Sequence, residues 1–458
     1  MSSFLETGAR PRARRRRVPR TQAQAPAPAR AVTRQAPQSP PLFPVQTPWL
    51  RSQALNSVRH AAALRPFRRG EFGVGAASPT EGHLQAANAL ISRLRAELLR
   101  LNGPVRAASV AAQRRPSPQR LGRLLDLKER AHAWVRATEQ IWDFYFELFG
   151  QRQGEYGDWL LSCDRIAQDC YQAAFRGVGA HKSIPAPPPF AYMRTGFSPA
   201  TFRRGIPLSK LGRMPNPFPL VELPYHRLVN PWTLGAVLHE VSHNLQNDLD
   251  LDKLIPREID ARLRAEGLPP FVAHTWQRWN RETFADLSGL LLGGPAVIAS
   301  LMDVVGRSRA ATLHFGRGPH PTPYLRVLIS VELLRRMGFP EQAERFRRAW
   351  TALYPNPGAG TIPRAVLETF PRANRIVVDT ICFTRYPELG GRSLAESYRF
   401  EPKDELMIEE AARRLAAGND PGVIPARFLI SAARIALDRR LARPGTLARN
   451  FYAELSRR

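Results

Sequence analysis

Apolar residues recur at three- and four-residue intervals through most of this chain, which predicts a mainly helical protein. Leu84, Ala87, Leu90, Ile91, Leu94, Leu98 and Leu99 place a helix over Gly82–Leu101. The same period runs over Leu121–Leu148, ending in Trp142, Phe144, Tyr145 and Phe146, and over Trp159–Phe175. Aromatic density of that kind predicts core. Later helices are predicted at Ala296–Val305, Tyr324–Met337, Glu341–Ala352, Leu406–Ala417, Pro425–Leu437 and Leu441–Leu455. Arg51–Glu81 reads as loop, with Gly70, Gly73 and Gly75, and Asn102–Gln119 as a linker around Pro104, Pro116 and Pro118. Two stretches read as extended. Pro219–Tyr225 is one, held to a sheet edge at best by Pro224; the β-branched run Arg375–Phe383 is the other. His181–Pro219 shows no period. Its prolines, aromatics and arginines suit an ordered loop at a cleft rim.

The most informative stretch is Thr233–Asn247. Leu234, Val237, Leu238, Val241 and Leu245 form an apolar stripe, with Asn230-Pro231 or Thr233 as candidate caps. His239 and His243 leave the helix on another side, one turn apart. Two imidazoles at that spacing can hold one zinc ion, and Glu240 beside the first can act as a general base.

A catalytic zinc site needs a third protein ligand. The position six beyond His243 is Leu249, and Gln246 stands where a turn glycine would be expected, which excludes the H-E-x-x-H-x-x-G-x-x-H class. Trp279–Gly289 offers Glu282 and Asp286 on one helical face instead. Glu282 can ligate the metal, and Asp286 can accept the second ring proton of a ligating histidine. The run Phe284–Ala299 is otherwise uncharged, so a carboxylate there needs a partner. Asp248, Asp250 and Glu258 stay open as other third ligands, although they follow His243 closely.

His239-Glu240-x-x-His243 with a later Glu282-x-x-x-Asp286, preceded by Ala285, resembles the thermolysin-like zinc metallopeptidases, the gluzincins. The resemblance covers two helices. It implies His239, His243 and Glu282 as ligands of Zn2+, Glu240 as general base and Asp286 as the partner of a ligating histidine. It also implies an edge strand beside the zinc helix that binds extended peptide, for which Pro219–Tyr225 is the candidate. The expected fold is mainly α: a zincin-like metallopeptidase core (α+β, a small sheet with active-site helices) with additional helices. The spacing from His243 to Glu282 exceeds that of the simplest members and implies an inserted helix over Pro256–Gly267. In zinc peptidases a histidine, tyrosine or arginine near the metal steadies the oxyanion. His320, in the Gly/Pro-rich stretch Arg307–Arg326, is the first candidate for that role, with Tyr324 and Arg326 after it.

Charge and cysteines add partners and setting. The formal net charge is +28, mostly from arginine. Residues 1–50, with Arg14-Arg15-Arg16-Arg17, read as a disordered basic tail able to meet an acidic protein or nucleic acid. Residues 51–150 read as linkers and N-terminal helices, 151–400 as the zincin-like domain, and 401–458 as a C-terminal helical region. Cys163, Cys170 and Cys382 form no disulfide framework, and no long apolar run suggests a membrane span, so a cytoplasmic setting is the expectation. The leading function is a zinc-dependent hydrolase acting on a peptide or protein. The alternatives are a catalytically inactive zinc-containing scaffold, whose metal site would be closed by a fourth protein ligand, and a nucleic-acid- or partner-binding protein recognised by charge.

Overall fold

The computed structural model of the chain describes residues 46–209 and 214–458. The basic stretch expected to be disordered lies outside them, except Gln46–Leu50, which begin a helix.

Three helices, Gln46–Ala63, Glu81–Arg114 and Pro118–Gly150, pack together at the N-terminal side. Two of the expected loops are therefore helical. Within Arg51–Glu81, the first part completes the helix Gln46–Ala63, which packs Leu50 and Ala61 inward. Two side-chain bonds tie it to the next helix: Ser109 Oγ donates to Leu50 O (2.6 Å) and Ser57 Oγ to Asn102 Oδ1 (2.6 Å). Within Asn102–Gln119, the second helix runs through Pro104 to Arg114. Leu101, Val105, Ala108 and Ala112 continue its buried stripe, and that burial outweighs the roughly 3 kcal/mol cost of an interior proline.

The proline-rich segment that followed no period contains four short strands, β1 (Phe190–Met193), β2 (Ala200–Phe202), β3 (Pro207–Leu208) and β4 (Met214–Pro215). With β5 (Leu220–Leu223) they form a three-stranded sheet in the order β1-β5-β2 and a separate β3-β4 pair. β5 runs parallel to β1 and antiparallel to β2. The expectation that Pro219–Tyr225 forms an edge strand is thus corrected: β5 is the central strand. Pro219 and Pro224 bracket its ladder without interrupting it, and Leu220, Val221 and Leu223 are fully buried. The edge beside the histidines is β2.

One apolar core extends from Leu160 to Leu455 and collects the remaining helices. The helix Gly235–Asp248, here the His helix, lies within it beside Tyr156–Val178 and Pro270–Gly293, the latter here the Glu helix. The inserted element between them is the helix Leu254–Ala265. The Glu helix is continuous from Pro270, so the lead-in Phe271–Asn280 belongs to it. It stops at Gly293-Gly294, where Gly294 adopts φ +79° and a β-carbon would strike the Phe400 ring. Arg375–Phe383 is not a strand. It is the end of the helix Arg364–Val378 and a π turn, Asp379–Phe383. Its β-branched residues serve a helical face, with Val366, Ala373 and Val377 buried together. The result is a mostly helical protein with a small mixed sheet, the α+β architecture of a zincin-like core with extra helices.

Candidate metal centre

The His helix presents its histidines because the opposite stripe is wholly committed. Leu234, Val237, Leu238, Val241 and Leu245 are all fully buried. Neither expected side-chain cap forms: Pro231–Thr233 make a 3-10 turn, the helix starts at Gly235, and Thr233 Oγ1 donates to Asn230 O (2.8 Å). Gly235 allows close packing, since a β-carbon would come within 2.6 Å of Ser300 Cβ.

His239 Nε2 and His243 Nε2 lie 3.2 Å apart. The Glu helix brings Glu282 to both, with Oε2 3.4 Å from His239 Nε2 and Oε1 3.5 Å from His243 Nε2. These three donor groups lie within 4.8 Å of one another, a set able to hold a divalent ion. Asp286, one turn beyond Glu282, accepts from His239 Nδ1 at 2.8 Å, which fixes that ring with Nε2 toward the cluster. Arg326 completes the chain from the helix Pro323–Arg336. Its Nε and Nη2 donate to the two oxygens of Asp286 at 2.7 and 2.8 Å. Arg326, also a candidate for the oxyanion, lines the cavity as well, with Nη2 3.9 Å from Glu282 Oε2.

The pocket's electrostatics favour a cation. Glu240, Glu282 and Asp286 face one buried guanidinium, Arg326. Burial opposes the charged form of His239, but hydrogen bonds to Asp286 and Glu282 prevail and raise it to about 10. Burial, reinforced by the charge on His239, lowers His243 to about 3. Burial also opposes ionisation of Glu282, yet His239, His243 and Arg326 hold it well below the usual carboxylate range. A metal at the Nε2 atoms would take the place of the proton that this field draws to His239. Burial pushes the Glu240 carboxyl up to about 7, the range of a general base working near neutrality.

The cluster opens into a cavity of about 820 Å³ lined by Glu240, both histidines and Glu282. His320 also lines it, exposed, with Nε2 3.4 Å from Glu282 Oε2 but outside the set of mutually close donors. Tyr324 is not among the lining residues; it is buried, and its carbonyl accepts from the Trp350 indole at 3.0 Å. The other acids weighed as third ligands are engaged elsewhere: Asp248 with Tyr171, Asp250 with Lys182 and Glu258 with Arg262. Ser198–Thr201 and Arg203, in and around β2 and within the stretch expected to be a cleft rim, form part of the cavity wall, and Arg281, which sequence reasoning missed, also lines it. A three-residue strand carries too little periodicity to be read. Arg281, beside Glu282, was legible but one arginine among many.

The arrangement defines a buried His/His/Glu centre compatible with a divalent metal, on a zincin-like framework. The chain matches no protein-family model, no curated protein and no solved structure.

Proposed function

We propose that this protein is a zinc-dependent metallopeptidase. The observation that carries the reading is the shared cluster of His239, His243 and Glu282 on the floor of an open cavity, with Glu240 beside it. Two imidazoles and one carboxylate suit zinc and leave a position for chemistry. Zinc, when bound there, supplies Lewis acidity to a water and to the substrate carbonyl. Glu240 takes the water's proton and returns it to the leaving amine. Asp286, held by Arg326, keeps the His239 ring oriented. His320 donates to the developing oxyanion from the cavity's exposed side. The substrate lies extended along β2, which pairs only with β5 among the described residues and whose Ala200 and Thr201 line the cavity.

The test is Glu240→Gln in the zinc-loaded protein, assayed on a mixed peptide library. Zinc content and fold should persist while hydrolysis falls at least about 100-fold. Full hydrolysis by the variant would sink the mechanism, and no hydrolysis by the wild type would sink the peptidase reading itself.

A further inference from the structure

The charged groups of the cavity divide into two sets. Glu240, Glu282, Asp286 and Arg326 belong to the metal cluster and are coupled to one another. The remaining charged lining residues are all cationic: Arg203, Arg281 and Arg307. None of these three guanidinium groups makes an ion pair with a carboxylate among the described residues.

Two of the three stand together. Arg203 follows β2, and Arg281 immediately precedes the ligand Glu282 on the Glu helix. Both line the same cavity, where the charge on Arg281, after burial, works against that on Arg203. Asp252 offsets this in part without reaching ion-pair distance. Arg307 lies on the rim, its guanidinium 4.5 Å from the centre of the Phe197 ring. A second part of the wall is apolar, built by Val297, Ile298, Leu301, Val304 and Val305. Arg203 is half-buried and Arg281 exposed; a guanidinium partly out of water near a like charge is destabilised unless an anion completes it. A carboxylate is the peptide group that a guanidinium pair matches best.

We infer that Arg203 and Arg281 form a subsite for an anionic group, so that the cavity selects peptides with an acidic side chain or terminal carboxylate close to the bond cut. This rests on the peptidase reading for the word "cut", but the subsite itself is a binding claim. The arginines act on the substrate, and the apolar part of the same cavity takes an aliphatic or aromatic neighbour.

The experiment uses zinc-loaded Glu240→Gln full-length protein, so that binding is read without turnover. The probes are capped hexapeptides of Ala, Leu and Phe, with one Glu or one Gln placed at each position in turn, and calorimetry gives the affinities. A carboxyl-terminal free acid and its amide form a further pair. At one position Glu should bind at least about tenfold tighter than Gln, the worth of one charge-assisted bond. Adding Arg203→Gln and Arg281→Gln should erase that preference. Adding Arg106→Gln and Arg114→Gln, remote on the N-terminal helices, should leave it, which separates a local subsite from the field of a +28 chain. The double Arg203/Arg281 variant should melt no lower than its parent, since neither side chain makes an ion pair.

Equal affinity for Glu and Gln at every position overturns the inference, and so does a preference that survives the double variant. A preference without cleavage by the wild type keeps the subsite and sinks the peptidase reading. Cleavage with no acidic preference does the reverse. No binding of any probe overturns both.

Discussion

Replacing Asp286 with asparagine separates two things the structure joins: the stability of the buried core and the affinity of the metal centre. Asp286 accepts three hydrogen bonds, two from Arg326 and one from His239, and its side chain is only 3 % exposed. Asparagine keeps the volume but loses the charge and turns an N–H group toward one of those donors. Arg326, itself 10 % exposed in its side chain, is then left as a buried cation with only the more distant Glu282 oxygen at 3.9 Å. Breaking one side of a buried pair costs about 3–5 kcal/mol. The ring of His239 loses its anchor as well, and loss of such a partner lowers metal affinity about 10–100-fold. The assays are chemical denaturation of the metal-free protein and a zinc titration against a competing chelator. The double variant Asp286→Asn/Arg326→Met tests the partition. It should recover most of the stability, because no buried charge is left unpaired, and none of the zinc affinity, because His239 is still unanchored. A single variant that loses under about 1 kcal/mol and binds zinc like the wild type would falsify the proposed chain from Arg326 through Asp286 to His239.

Other consequences follow from particular residues. His83 is buried between Thr80 and Pro188 O, and burial depresses its pKa below 6.5, with the Pro188 bond opposing. The unfolded chain therefore binds the proton first as pH falls. The contribution is complete above about pH 6.5 and is lost below it, at up to about 1.4 kcal/mol per pH unit. His83→Gln should flatten that slope in denaturation series at pH 7.5, 6.5 and 5.5, and an unchanged slope would show the proton is taken up elsewhere. Pro104→Ala restores a helix-compatible residue inside Glu81–Arg114 and should stabilise the protein by about 1–3 kcal/mol, read as a higher denaturation midpoint. A lower midpoint would mean the proline shapes the three-helix packing. Arg152→Met leaves Asp164, which also holds the Ala191 amide of β1 at 2.6 Å, without its cation and should cost about 3 kcal/mol in the same assay.

The parts of the fold legible in the sequence were those in which one face of an element is buried and the other wet. The His helix reads cleanly because five fully buried residues alternate with the histidines at helical spacing. The Glu helix was legible for the opposite reason: Asp286 stood alone in an otherwise uncharged run, one turn after Glu282. Errors arose where tertiary packing overrode a local signal. Pro104 was read as part of a linker and Pro224 as holding its strand to a sheet edge, but the first sits in a helix held by its buried stripe and the second lies just past the ladder it flanks. Ile376-Val377-Val378 has strand propensity and is used as a helix end, because its buried positions repeat at helical period. Within the site, the two histidines could be placed from spacing, while Glu282 and Asp286 were candidates supported by the resemblance, with Asp248, Asp250 and Glu258 still open. The pairing of Arg326 with Asp286 could not be read from spacing, because the register of a third helix against the Glu helix decides it. The edge strand was misassigned to β5 for a related reason: strand order is a property of pairing, and β2 is too short to announce itself.

The three described cysteines are buried and free, and no helix among the described residues is long and apolar enough to cross a membrane. The basic stretch preceding Gln46 remains a proposed contact for an acidic partner or nucleic acid.

The most direct measurement is zinc per chain in the purified protein, by elemental analysis, beside His243→Ala and Glu282→Ala. The account predicts about one zinc in the wild type and a clear loss in both variants, each of which stays folded. A folded wild type that binds no zinc when offered it, or a Glu282→Ala variant that keeps a full equivalent, would contradict the metal centre as drawn.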